Sequence, residues 1–277
     1  MKRREFIKGS VVASTIAAVG LDHANSLAAE RKQGGPREYY ELRAYRLKSG
    51  APGREVLGNY LEKAAIPALN RLGCKPVGVF VQAERAGNPS GTEVREPNTV
   101  FVLIPYPSLE TVGSLPAALQ ADSEFQNAGD TYLHLNKDNS VFERIDSWLM
   151  IAFAGMPKIE LPAYSSAKKQ RIFELRTYES ATELKAFKKV EMFNSGEIDI
   201  MREVELGPIF FGQALIGPGL PHLTYMLSAE NEDLHKKHFG AFGKHPTWDK
   251  MKKDPQYADT VSKIRNWYLT PTAYSQI

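Results

Sequence analysis

A chain of 277 residues with 43% hydrophobic and 24% charged residues has the make-up of an ordinary globular protein, which excludes a disordered or fibrous one; its single cysteine, Cys74, allows no internal disulfide. The formal charge of +3 belongs to the first residues: removing 1–28 takes away Lys2, Arg3, Arg4 and Lys8 against Glu5 and Asp22 and leaves 31 basic and 30 acidic side chains. A nearly neutral body lacks the basic field that nucleic acid or an anionic membrane would require, so neither partner is expected.

At the N-terminus, Lys2-Arg3-Arg4-Glu5-Phe6-Ile7-Lys8 places paired arginines before a short, alanine-rich apolar run, Val11 to Leu21, and Ser26-Leu27-Ala28 follows as a small-x-small cleavage site. This reads as a twin-arginine leader over residues 1–28 and a periplasmic or otherwise exported protein. The run is too short and too weakly apolar for a spanning helix, so no integral membrane segment is expected once the leader is removed. An uncleaved N-terminal anchor is the alternative.

The rest of the chain contains one unit twice. Tyr40-Glu41-Leu42-Arg43-Ala44-Tyr45 recurs as Phe173-Glu174-Leu175-Arg176-Thr177-Tyr178, and Ile145-Asp146-Ser147-Trp148-Leu149 is answered by Ile264 to Leu269 around Trp267. In the first copy, 37–154, residues 38–47 alternate as a strand, with Leu42 on one face and Glu41, Arg43 and Tyr45 on the other. Leu57, Leu61, Ala65, Leu69 and Leu72 then recur at helical spacing and stop at Gly73. Val77–Val81 and Val100–Ile104 are short apolar runs expected as buried strands, separated by a polar insertion, Ala86–Thr99, expected as a hairpin loop. A helical region at 110–135 and a strand over Phe142–Phe153 complete the copy.

A linker over 155–170 leads to the second copy, 171–277. Ser180-Ala181-Thr182-Glu183 reads as a capping box, and Leu184, Phe187, Val190, Phe193, Ile198, Met201 and Val204 as the apolar stripe of a helix that stops at Gly207. Strands are expected at Ile209–Leu215 and Leu223–Ala229, then helix from Glu230 to Ile264, broken near Pro246 and Pro255. Both copies follow the βαββαβ order, an α+β, ferredoxin-like arrangement with helices on one face of an antiparallel sheet. Two such sheets in one chain cover each other's open faces by closing into an α/β barrel, helices outside and a lined cavity within. Two chains could associate further as a homodimer.

The Glu-Leu-Arg-x-Tyr openings (Glu41 to Tyr45, Glu174 to Tyr178), the segment Gly207-Pro208-Ile209-Phe210-Phe211-Gly212, and Phe242-Gly243-Lys244-His245-Pro246-Thr247-Trp248 followed by Pro255-x-Tyr257 resemble the NIPSNAP family. The resemblance runs through both copies as tandem modules and is sharper in the second, since the first has Leu115-Pro116-Ala117-Ala118 and Phe125 in place of the Pro-x-Trp signature. It implies membership of the dimeric α/β-barrel superfamily, whose other branches include cofactor-free monooxygenases and haem-dependent enzymes. No general chemistry is attached to the NIPSNAP branch itself.

The candidate site residues follow from the repeat. If Leu42 and Leu175 pack under the helices, then Glu41, Arg43 and Tyr45, with Glu174, Arg176 and Tyr178, point into the barrel. There the arginines would hold an anionic or carbonyl group and the tyrosines would donate hydrogen bonds; the alternative is cross-strand Glu–Arg pairs that only fix register. His235, His238 and His245 are the available catalytic bases and Trp248 an aromatic wall. His235 and His238 lie one turn apart, but no Cys or carboxylate at ligand spacing joins them, so no metal is expected and no cofactor, with haem held as an alternative. Three functional classes stay open: binding, with or without oxidation or isomerisation, of a small apolar molecule in the barrel; a non-catalytic scaffold; a haem or metal protein.

Overall fold

The repeated Glu-Leu-Arg-x-Tyr element forms the central strand of each half. The computed structural model describes residues 35–49, 53–84 and 92–277, so the leader expected over 1–28 and part of the polar insertion lie outside the described residues. β1 (Tyr39–Leu47) is bordered on both sides, by β3 (Thr99–Tyr106) and by β4 (Phe142–Ala152), both antiparallel; β2 (Gly78–Gln82) pairs with the far side of β3. The second half repeats the pattern. β5 (Ile172–Glu179) lies between β7 (His222–Ala229) and β8 (Lys263–Pro271), and β6 (Pro208–Ile216) borders β7. The seams β2–β8 and β4–β6 close the whole into a barrel of order β1-β3-β2-β8-β5-β7-β6-β4. Each seam joins the second strand of one module to the fourth of the other, as a pseudo-twofold axis requires.

Helices cover the outside. In the first module α1 (Gly53–Tyr60), a π-helical turn (Leu61–Ala65) and α2 (Ile66–Arg71) run on from one another, and Gly73 at φ +80° ends them as its position predicts. α3 (Leu109–Ala121) and α4 (Ser123–Leu133) follow, capped by the side chains of Ser108 and Asp122. The short α5 (Ala163–Ser166) lies in the linker. The second module repeats α6 (Glu183–Met192), a π turn (Phe193–Glu197) and α7 (Ile198–Glu203), then α8 (Glu232–Lys244) and α9 (Pro246–Met251).

Four local expectations change. Thr182, not Ser180, caps α6 by accepting from the Lys185 N–H, while Ser180 donates to the Thr260 carbonyl. Leu184 and Phe187 are exposed, and the buried stripe of α6 is Ala186, Lys189 and Val190. The chain leaves α7 through Glu205 at φ +60°, and Gly207 is needed two residues later, at the entry to β6. Helix does not continue to Ile264: after α9 only a single 3₁₀ turn, Pro255–Tyr257, precedes β8.

Both faces of each sheet are buried, so strand alternation sorts the side chains into three cores. Leu57, Leu61, Leu69, Val79, Val102 and Ile104 fill the layer between the first sheet and its helices, and Phe193, Ile198, Met201, Phe211, Leu223 and Tyr225 fill the second. The third lies on the barrel axis, with Leu42, Phe80, Phe101, Met150, Phe173, Leu175, Phe210, Met226 and Trp267. Here Tyr40 meets Phe210 edge-on at 5.2 Å and Phe80 meets Phe173 at 5.0 Å. The cavity expected through the barrel is therefore filled over most of its length, and Ile277, fully buried, plugs the end where β1 begins.

Candidate functional site

Leu42 and Leu175 are on the axis, not under the helices, so the six polar side chains expected inside the barrel face the helical layer instead. A lone strand with two buried faces gives no sign of which is inner. What decides is the supply of partners, because a charge on an axis lined by Leu, Phe and Met would be left unpaired. Outside, Glu41 accepts from Arg43 Nε and Nη2 at 2.7 and 2.8 Å, from Tyr106 at 2.7 Å and from Ser147 at 2.6 Å. Burial alone would raise the Glu41 pKa, but these donors outweigh it and hold the carboxyl below the usual range. Tyr45 packs edge-on against Phe142 in the apolar layer.

In the second module the corresponding network is larger. Glu174 accepts from Arg176 at 2.5 Å, from Asn266 at 2.9 Å, and meets His235 Nε2 at 2.8 Å. Arg176 also donates to Tyr178, whose hydroxyl lies 2.8 Å from that of Tyr225. Beside it a buried Lys189–Glu197 pair closes at 2.7 Å, the ammonium 4.5 Å from the Phe193 ring and 5.4 Å from Trp248. Desolvation pushes the Glu197 carboxyl upward, against the pull of Lys189. For Glu174 the balance is reversed: burial raises it, but the His235 hydrogen bond and the Arg176 charge bring it below its ordinary value.

The structure thus brings Glu174, Arg176, Tyr178 and His235 into one network, with Trp248 against its neighbouring ion pair, and leaves the other two histidines apart. His238 bonds the Glu205 carbonyl at 2.8 Å, and His245 caps α9 through the Thr247 N–H. Among the described residues no group of three or more His, Cys, Asp or Glu side chains could hold a metal ion. His235, with Nε2 committed to Glu174, fits a haem ligand poorly. Burial pushes the Cys74 thiol up to about 11, so it behaves as a small apolar side chain.

The open space lies elsewhere, at the end of the barrel opposite Ile277. A pocket of about 90 Å³ is walled by Leu42, Phe101, Trp148, Leu175 and Trp267, with His222, Thr177, Thr224 and the Pro218-Gly219 hairpin at its mouth. Trp148 and Trp267 occupy equivalent inward positions, opposite Leu42 on β4 and opposite Leu175 on β8. The rim arginines are ion-paired, Arg46 with Glu96 at 3.0 Å and Asp146 at 2.9 Å and Arg265 with Glu179, while Arg265 Nε and Glu96 Oε2 are buried without a hydrogen-bond partner. His222 is 3% exposed and reaches Thr224 through Nδ1 at 3.3 Å, leaving its buried Nε2 without a protein partner; so is the Nε1 of Trp267, 9% exposed. Burial lowers the His222 pKa, which keeps the ring neutral at pH 7. A wider hollow of about 790 Å³ beside α1 is an open surface depression lined by charged groups such as Arg54, Glu55 and Glu62.

The sequence pointed to the trio through its repetition and passed over this pocket, whose residues come from both modules. One signal was present: the tryptophan repeated at 148 and 267.

A closed eight-stranded antiparallel barrel with helices only on its outer face defines an α/β-barrel fold. Residues 173–276, nearly the whole second half, match the model of the NIPSNAP family. In fold the chain is similar to a candidate monooxygenase of Lactobacillus acidophilus (TM-score 0.55, 10% identity, covering 85% of this chain and 94% of that one). It is similar also to one of Fusobacterium nucleatum (TM-score 0.51, 9% identity, 85% and 92% covered). A NIPSNAP-like domain protein of Burkholderia xenovorans is 21% identical over 38% of this chain and 89% of its own, with TM-score 0.35. No curated protein matches the sequence significantly. Among the described residues no helix is long and apolar enough to cross a membrane.

Proposed function

We propose that the protein binds a small molecule in the open end of its barrel, between Trp148 and Trp267, and that the leader read at its N-terminus carries it out of the cytoplasm to do so. The observation that carries this reading is that four residues lining the pocket hold a buried polar atom without a hydrogen-bond partner: His222 Nε2, Trp267 Nε1, Arg265 Nε and Glu96 Oε2, the last two in residues that are otherwise ion-paired. Leaving a buried polar group unsatisfied costs about 1–3 kcal/mol, a burden that a bound ligand removes. The Glu174 carboxylate, by contrast, has partners on both oxygens and lines none of the pockets described above, so it supports the sheet and helix packing. If the bound molecule is oxidised or isomerised, the base available to it is His222, not His235, His238 or His245.

The test is ligand binding by purified protein and by His222→Phe, which keeps the ring volume and removes both nitrogens. Native mass spectrometry of protein recovered from its own compartment should find a small molecule bound, and the variant should hold it about tenfold more weakly with an unchanged far-UV CD spectrum. Wild-type protein that carries nothing and binds no member of a neutral fragment set would end the proposal.

A further inference from the structure

The pocket also restricts what it can bind, and this step rests on the reading that the barrel end is the binding site. We infer that its ligand is an uncharged molecule of about one ring in size carrying an oxygen that accepts a hydrogen bond from the Trp267 indole N–H.

The two module-related tryptophans provide an internal control. Trp148 donates from Nε1 to the Pro218 carbonyl at 2.9 Å, so the protein itself supplies an acceptor for one indole of the pair. Trp267, at the equivalent inward position of β8, has none. An indole N–H is a donor only, so whatever satisfies it must present an acceptor, which excludes a pure hydrocarbon.

Charge is excluded by the rim. An anion would need a cation without a counter-charge, yet Arg46 is held between Glu96 and Asp146, and Arg265, whose Nε has no partner, already carries its charge against Glu179 through Nη2. A cation would need a carboxylate without a counter-charge, and Glu96, Asp146 and Glu179 are each ion-paired with these arginines, although Glu96 Oε2 itself has no hydrogen-bond partner. The remaining basic ring, His222, is kept neutral by burial. A charged ligand would therefore have to break an existing pair and be desolvated without compensation.

The walls set the body of the ligand. Leu42, Phe101, Leu175 and the two indole faces enclose about 90 Å³. Water gains nothing from those apolar surfaces, whereas a compact ring gains with each CH₂ it buries.

The experiment follows the indole ¹⁵N–¹H signals of the intact mature protein, whose three tryptophans give three resonances, that of Trp267 being the one lost in Trp267→Phe. Four probes of one shape are titrated: cyclohexanone, cyclohexene, cyclohexanecarboxylate and cyclohexylammonium. Cyclohexanone should shift the Trp267 signal saturably, bind about tenfold more tightly than cyclohexene, and lose that advantage in Trp267→Phe. The two ions should bind more weakly than cyclohexanone. Tighter binding of either ion, or equal binding of cyclohexene, would overturn the assigned class while leaving the pocket standing. If no probe moves the Trp267 signal up to its solubility limit, both the class and the binding site fail.

Discussion

Lys189 and Glu197 are the clearest case of residues whose role is visible only against their counterparts. The π turns of the two modules align Leu61 with Phe193, which sets Leu57 against Lys189 and Ala65 against Glu197; likewise the caps Ser108 and Asn231 set Val112 against His235. The same layer is thus packed once with apolar side chains and once with an ion pair whose members are 5% and 3% exposed. Since the first module folds without the charges, the pair is not required by the architecture, and desolvation takes back much of what its attraction contributes. Replacing both together, Lys189→Leu with Glu197→Ala, should leave stability in urea unchanged or raise it by about 1–3 kcal/mol, whereas Glu197→Ala alone should cost about 3–5 kcal/mol. The spacing of Glu174, Arg176 and Tyr178 along one strand was legible from the letters. Their direction was not, because it depends on which face meets Tyr225, Asn266 and His235, all supplied from other strands or helices.

At the scale of elements, local chemistry predicts most of what forms, and its failures have identifiable causes. Gly73 ends a helix as expected, but the second stop is made by Glu205, so the glycine at 207 has a different task. A Cβ there would stand 2.5 Å from the Ser228 carbonyl oxygen and 2.4 Å from the Tyr164 hydroxyl, with φ at +57° besides. β6 can therefore approach β7 at this point only without a side chain. Gly207→Ala should destabilise the protein by at least about 2 kcal/mol, because the backbone oxygen cannot move aside. Gly113 is the opposite case, exposed within α3 with nothing within 4 Å of an added Cβ. Gly113→Ala should stabilise by about 0.5–1 kcal/mol through helix propensity alone, and equilibrium denaturation of both variants checks the pair of signs. The exposure of Leu184 and Phe187 has a similar lesson: a helical apolar repeat can be met by more than one stripe, and the sheet chose the one containing Lys189.

On the scale of the whole molecule, the barrel was readable because one element order occurs twice: two βαββαβ units, each with an uncovered sheet face, have few ways to finish. The chamber was not readable, because whether a barrel is hollow depends on side-chain volumes summed over strands far apart in sequence. Here those volumes fill the axis up to Leu42 and Leu175, and room opens at their level between Trp148 and Trp267, with His222, Thr224 and Arg265 also in the lining. That placement makes the site dependent on a ring whose charge would be poorly tolerated. Burial depresses the His222 pKa, outweighing the upward pull of a backbone hydrogen bond at Leu223 and of the Glu179 charge, with Arg265 adding to the depression, so the folded protein resists protonating it. An unfolded chain takes up that proton near pH 6.5. The unfolded state then binds more protons than the native one, so the contribution of His222 to stability is complete above about pH 6.5 and is lost as the pH falls from there through the depressed folded value. Ligand affinity should follow the folded pKa instead: constant from pH 8 down through 6.5, then falling at lower pH as the imidazole gains a proton beside Arg265. Urea denaturation and cyclohexanone titrations across pH 5–8, on wild type and His222→Phe, separate the two effects. The variant should lose the acid-side slope of stability between pH 6.5 and 5 and bind with a pH-independent constant. A wild-type affinity that already declines between pH 8 and 7 would show that a different group governs the pocket.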